Sequence, residues 1–467
     1  MSTRASLLPW AALLTLAPAM SGSVPQPADW VPIRWPWTDL QSLELLKNNP
    51  VNCLLLKDYS ASFDTAAAER GIATLAVISP GGDTLAEARK AIAAKVTGIV
   101  LEGDFAESPA AAVREAAHGA PVIELTARNR MPLGAKAAIL GTYQGVWPGV
   151  PMDEDGAKKA GPSGSAWIDT NTGFIRAVRA WSNPTLWIAN QPPARTVVTT
   201  ERYLQVIADA AASGARWVIA LDPDFSGRLK QGEPKAVDGW KRINNLLRYF
   251  EQHPEWRGYP EYGKLAVVQD PAKGGLLSGG ILDMIAVKHT PVRPVPVEHL
   301  TPEALEGASM AVDVDAASLT PVQKEILRNF ARKGGALLTG PPGWKDEAPN
   351  GTNITLDKAQ LDRLSDIWRD VNSMVGRRNL GVRLFNVSSM LSNVLTSPDG
   401  KTEIIHLVNY SDYPVETVTV HYLGNFKRAT LLTPEGEAKT LEIYPTEDGS
   451  GVDIDRVSVC ATIKLEQ

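Results

Sequence analysis

Cysteine and histidine are both scarce in this chain, with two and six copies among 467 residues. Cys53 lies in an apolar run near the start and Cys460 in the last one. A disulfide framework is thereby excluded, and both thiols read as small core hydrophobes. The histidines at His118, His253, His289, His299, His406 and His421 are scattered, and none pairs at i, i+4. Neither a zinc site nor a Ser-His-Asp triad follows from them, and no metal or organic cofactor is expected. A glycine-rich phosphate cradle is missing too, since Gly274-Gly275 is a short turn. The acidic run Asp153-Glu154-Asp155 lacks the ligand spacing of a calcium loop. Charge is balanced at 47 basic against 52 acidic residues, a net −5. That leaves no electrostatic footprint for nucleic acid. No internal apolar stretch reaches membrane-spanning length.

What is present begins with an export signal. Arg4 supplies a basic start, Leu7 to Leu16 an apolar core and Ala17-Pro18-Ala19 a small-residue cleavage site, so residues 1–19 are read as a signal peptide. A secreted or periplasmic protein is expected. The length exceeds what one hydrophobic core holds, so several domains are expected as well.

Over residues 28–258, short apolar runs alternate with helical stretches, the pattern of a parallel sheet with crossover helices. Eight strands are expected: Val31–Trp35, Cys53–Lys57, Thr74–Ser79, Gly98–Phe105, Val122–Thr126, Ala138–Gln144, Thr185–Asn190 and Trp217–Phe225. Eight strand–helix units predict an α/β fold of the (β/α)8 TIM-barrel type, with its site on the loops after the strands. An open doubly wound sheet is the rival. Residues 260–350 predict a small α/β domain. Its strands fall at Leu265–Gln269, Val292–Val297, Ser309–Val314 and Ala336–Thr339, and its helices at Leu276–Val287 and Pro321–Lys333. Residues 351–467 begin with a helix near Lys358–Val375. From Gly381 the period drops to two, which predicts an antiparallel β-sandwich over runs such as Thr402–Asn409, Glu416–Tyr422, Ala429–Thr433 and Val457–Lys464.

The segment Thr320-Pro321-Val322-Gln323-Lys324-Glu325 leads through Phe330 to Gly334-Gly335-Ala336-Leu337-Leu338. It resembles the helix, Gly-Gly and buried strand of the class I glutamine amidotransferase-like domain in family 42 (β-galactosidase-type) glycoside hydrolases. His406-Leu407-Val408-Asn409-Tyr410-Ser411 is similar to the first sandwich strand of several such hydrolases. The resemblance implies a barrel, an amidotransferase-like domain and a β-sandwich, acting on an oligo- or polysaccharide and allowing homo-oligomers through the middle domain. That domain contains no cysteine, so amidotransferase chemistry is not implied. Many barrel glycosidases carry their acid/base as Asn-Glu after strand four and a nucleophilic Glu after strand seven. Here strand four ends Leu101-Glu102-Gly103-Asp104, and strand seven ends Asn190-Gln191 without an acid.

Every second residue of a strand shares a face. On that basis Glu102 and Asp104, Glu124, Asp222 and Asp224 are placed as a ring of carboxylates at the mouth, joined by the amides Gln144 and Asn190. Glycoside hydrolysis needs two such acids. Glu102 is the expected general acid/base and Asp222 the nucleophile or base, with Asp104, Glu124 and Asp224 as further candidates. Arg34 and Trp35 close strand one and join the same mouth, Arg34 being equally suited to neutralise a strand-end acid. The long loop after strand six offers Trp147 and Trp167 for stacking on sugar rings, or for clamping the loop to the barrel. Two alternatives stay open. One is a carbohydrate-binding barrel without catalysis. The other is a lyase or isomerase for sugar acids, for which Lys57 is the available base.

Overall fold

The fold is that of a computed structural model. It describes residues 23–134, 137–148, 158–159, 170–269, 291–313, 319–339 and 366–467, apart from 367, 368, 372 and 388. Strands β1 (Pro32–Arg34), β2 (Cys53–Leu56), β3 (Ala73–Ile78), β4 (Gly98–Glu102), β5 (Val122–Thr126), β6 (Ile139–Thr142) and β7 (Thr185–Ile188) run parallel in sequence order. The eighth, β8, comes in two pieces, Arg216–Trp217 and Ile219–Ala220. The first piece pairs with β7 and the second with β1, so the sheet closes into an eight-stranded barrel.

Side-chain parity follows the two buried layers. Cys53, Leu55, Leu75, Val100, Ile123, Leu125, Ile139, Trp187 and Val218 fill the interior. Their neighbours Ile99 and Leu101 meet Ala88 of α2 (Thr84–Ala93) and Ala110 and Val113 of α3 (Glu107–Ala116). Both faces of a parallel strand are thus buried, which is why these strands read as near-continuous apolar runs. Trp30, ahead of β1, lies 6.5 Å from Trp187 and belongs to the interior cluster. Further helices flank the barrel: α4 (Thr172–Ser182), α5 (Thr200–Ala212), α6 (Pro223–Lys230) and α7 (Pro234–Glu251). The eighth strand stops at Ala220 rather than Phe225, because Asp222 caps α6 and Pro223 opens it.

A second parallel sheet follows, in spatial order Val292–Pro296, Leu265–Gln269, Met310–Asp313, Ala336–Thr339. Its helix Pro321–Arg332 starts on a capping box in which Thr320 and Gln323 bond reciprocally. The expected helix Leu276–Val287 lies outside the described residues, as does most of the one near Lys358–Val375. The C-terminal part has two antiparallel sheets. One holds Val382–Phe385, Val415–Leu423, Gly449–Val457 and Tyr444–Thr446. The other holds Met390–Thr396, Thr402–Asn409, Cys460–Glu466, Arg428–Leu432 and Lys439–Leu441. The second sheet is covered on both faces. Ile405, Leu407 and Ile463 face the sandwich core, while Leu391, Leu395, Ile404, Val408 and Tyr410 pack into the barrel's helical layer.

Polar groups lock that junction. Asp209 of α5 is wholly buried and accepts hydrogen bonds from Asn171, from the hydroxyls of Thr170 and Thr172, and from Tyr410 (2.5 Å). Arg202 donates to the Tyr410 carbonyl at 3.1 Å and pairs with Asp412 at 2.5 Å. Gln205 donates to the carbonyls of Asn409 and Ser411. Cys53 and Cys460 are free and buried. Among the described residues no helix is long and apolar enough to cross a membrane.

Candidate functional site

Glu102 ends β4 with its side chain turned into the mouth, next in parity after the interior Val100. Arg34, at the end of β1, reaches it across the barrel. The guanidinium Nη1 donates to Oε2 at 2.9 Å and Nη2 to Oε1 at 2.5 Å, a two-point grip. The same Nη2 donates to the Ala189 carbonyl at 2.9 Å, and the Gln191 amide approaches Glu102 Oε1 at 3.4 Å. Side-chain exposures of 11% and 14% place the pair largely out of solvent. Both carboxylate oxygens are therefore engaged by protein donors.

Asp104 lies just beyond Glu102 and keeps more contact with solvent, at 28% exposure. Its Oδ1 accepts from the Ala127 N–H at 3.0 Å and its Oδ2 from the Tyr143 hydroxyl at 3.2 Å, with Arg130 at 3.5 Å. Burial, and then the Asp104 charge, push the Tyr143 phenol above its ordinary range. The phenol is thus kept as a donor toward the carboxylate. Gly103 between the two acids has φ +123° and no room for a Cβ, which would sit 2.7 Å from Pro80. That turn separates the directions of Glu102 and Asp104.

The remaining candidates go elsewhere. Asp222 is 2% exposed and spends both oxygens on structure. Oδ1 accepts from the N–H groups of Asp224 and Phe225 at the start of α6, and Oδ2 from Tyr203 at 2.8 Å and the Val198 N–H at 3.3 Å. Asp224 sits on the surface of α6 in an ion pair with Arg228. Glu124 does not share the inward face. Ile123 and Leu125 point inward, so Glu124 points out and pairs with Arg114 of α3. Trp187 of β7 and Ala189 just after it face inward, which places Asn190 on the outer layer, donating to the Gly145 carbonyl. Gln144, in parity opposite Tyr143, is buried and accepts from the Arg128 N–H.

Two of the tryptophans of the expected mouth, Trp35 and Trp147, are core. Trp35 is buried against Trp37, with its indole N–H on Ser42. Trp147 is buried edge-on against Tyr203 and Trp217. Trp167 and the run Asp153-Glu154-Asp155 lie outside the described residues. Lys57 is exposed beyond β2. Among the described residues no three acidic, histidine or cysteine side chains converge as a metal site would require. Among the described residues the mouth therefore holds Arg34, Glu102 and Asp104, joined by Tyr143, Gln191 and Arg130. Tyr143 was legible in principle, standing two residues past Gly141 on a strand whose interior member is Ile139.

These elements define a (β/α)8 barrel followed by a parallel sheet and a β-sandwich. No protein-family model and no curated protein sequence matches the chain. Among solved structures it is similar to alpha-L-fucosidase isoenzyme 2 from Paenibacillus thiaminolyticus. The TM-score is 0.60 and the identity 10%, covering 95% of this chain and 98% of that one. Looser matches include a rhamnosidase from Novosphingobium sp. PP1Y, with TM-score 0.45 and 11% identity over 76% of this chain and 38% of that one. Another is trehalose-6-phosphate hydrolase from Bacillus licheniformis, with TM-score 0.36 and 9% identity over 96% and 99%. The fucosidase match establishes the shared fold, and the other two superpose too loosely to add to it.

Proposed function

We propose that the chain is an exported, carbohydrate-active protein of the glycoside hydrolase type that takes a saccharide at the barrel mouth. Asp104 is the reacting carboxylate in this reading, and the Glu102–Arg34 pair orients the sugar. The observation that carries it is the asymmetry of the two mouth acids. Both acids are bonded at each oxygen, but Glu102 lies in a two-point ion pair at 14% exposure, whereas Asp104 keeps 28% exposure beside a phenolic donor. A rigid ion pair suits the fixing of hydroxyl groups. A half-open carboxylate suits attack, or activation of water, at an anomeric carbon. The fold shared with a fucosidase agrees with this reading. So does the order of barrel, parallel sheet and sandwich, which resembles family 42 with its amidotransferase-like middle domain. Export by residues 1–19 and self-association through the middle sheet are parts of the same proposal.

A second reading is saccharide binding without turnover. It is favoured by one observation: among the described residues, no two unengaged carboxylates face each other across the mouth. One experiment separates the two readings, a screen of aryl glycosides and oligosaccharides with the parent, Asp104→Asn and Glu102→Gln. Turnover that falls about 10²–10⁴-fold in Asp104→Asn and shows a raised KM in Glu102→Gln supports hydrolysis. Saturable binding without turnover, weakened by Glu102→Gln, supports the second reading. A protein that neither binds nor cleaves any saccharide overturns both.

A further inference from the structure

At the end of the barrel away from the mouth, where β7 and β8 begin, Arg179, Arg216 and Arg257 line a cavity of about 210 Å³ together with Asn183, Thr185 and Gly214. That volume is several times a water molecule's share of the liquid. Two of the three cations share one carboxylate directly. Glu251 accepts from Arg216 at 3.0 and 3.2 Å and from Arg257. Arg179 is buried, and among the described residues its guanidinium donates to neutral oxygens alone. These are Asn183 Oδ1 at 3.1 Å, the Ser213 carbonyl at 2.9 Å and the Arg257 carbonyl. Two further acids act on the group from a distance. Glu261 attracts Arg179 but stands 3.8 Å from Arg176, and Asp29 lies toward Arg257. With Glu261 set against Arg176, the cavity wall retains an excess of positive charge.

A buried charge without a charged partner is costly, and proteins rarely keep one idle. The surroundings also hold Arg179 in place deliberately. Gly214 has φ +84°, and a Cβ there would lie 2.4 Å from the guanidinium. Asn183, in the left-handed conformation, ends α4 and presents its amide to Arg179 Nε. Planar guanidinium forks set around a small polar void match the geometry of a tetrahedral oxyanion.

We propose that this cavity is an anion site that takes a phosphate or sulfate group, separate from the barrel mouth. An occupant would bridge the end of α4, the start of β8 and the segment Pro254–Gly258 that leads out of the barrel. It would thereby tie the barrel's base to the following domains.

The test is calorimetric titration of the full-length protein with sodium phosphate and with sodium sulfate, ionic strength being held with chloride and acetate run as a comparison. Melting curves accompany each titration. One-to-one binding is expected, with a rise in Tm of at least about 1 °C at saturation. Affinity should fall at least tenfold in Arg257→Gln, which alters the most exposed of the three arginines. Thr185→Glu, which puts a carboxylate into the cavity, should abolish binding and raise the anion-free Tm. The proposal is overturned if neither oxyanion binds saturably. It is equally overturned if Arg257→Gln binds as tightly as the parent, or if acetate matches phosphate.

Discussion

His406 offers the sharpest test of how the sandwich is joined to the barrel. It is 1% exposed on the strand Thr402–Asn409, against the rings of Phe250 and Trp256. The Tyr249 hydroxyl donates to Thr462 Oγ1 at 2.5 Å, and Thr462 Oγ1 lies 2.9 Å from His406 Nδ1. Burial, aided by His253, pushes the His406 pKa from 6.5 down to about 3. Between those values the unfolded chain binds a proton that the folded chain refuses, so stability falls as pH falls through this window. At about 1.4 kcal/mol per pH unit, acidification to pH 4 removes roughly 3 kcal/mol through this residue alone. Other groups titrate over the same range. Glu403, pushed up to about 7 by burial, acts in the opposite direction, adding stability as pH falls from 7 toward 4.5. Comparing the parent with His406→Gln removes these shared contributions. Urea unfolding followed by tryptophan fluorescence at pH 7.5, 6, 5 and 4 should show the difference between the two proteins shifting by about 3 kcal/mol in favour of the variant. Parallel pH profiles would refute the reasoning.

Three further outcomes follow from the geometry. Trp147→Ala should lower unfolding stability by about 3–5 kcal/mol and leave unchanged any saccharide affinity the parent shows, since the ring is core; calorimetric binding beside denaturant titration checks both. Asp222→Ala removes a helix cap and a buried acceptor for Tyr203, which predicts a loss of about 2–3 kcal/mol. Any activity should be retained per folded molecule, and a selective fall in kcat would return Asp222 to the chemistry. Tyr410→Phe deprives Asp209 of one of its hydroxyl donors and should cost about 1–2 kcal/mol, read from the urea midpoint with an unchanged m-value.

Strand positions were legible because period and punctuation agree. Residues 122–126 and 402–409 fall where the apolar runs predict, and the middle sheet's four strands lie within or beside the expected runs. The direction of each side chain was harder to read. When both faces of a strand are buried, apolar alternation no longer distinguishes them. In Val122-Ile123-Glu124-Leu125-Thr126 the acid's outward position depends on Arg114, a helix residue that reaches back over the sheet. The Asp222-Pro223 pair did carry a readable signal, an N-cap followed by proline at the first helical position. It was outweighed by the attraction of an acid near a strand end. The Arg34–Glu102 contact joins residues 68 apart in sequence, and only closure of the barrel brings them together.

The five-stranded sheet, walled in by the barrel helices on one side and its sister sheet on the other, limits how this chain can be divided. Cutting before Val382 would uncover the apolar surface of α5 and α7 and deprive Arg202, Gln205 and Asp209 of their partners in residues 409–412. Such a fragment would carry a sticky, charge-studded flank and tend to associate with itself. The sandwich therefore behaves as a missing segment of the barrel's own outer wall. The loops of the mouth are free to drift in sequence, but the two parts are bound to be inherited, exchanged and expressed together.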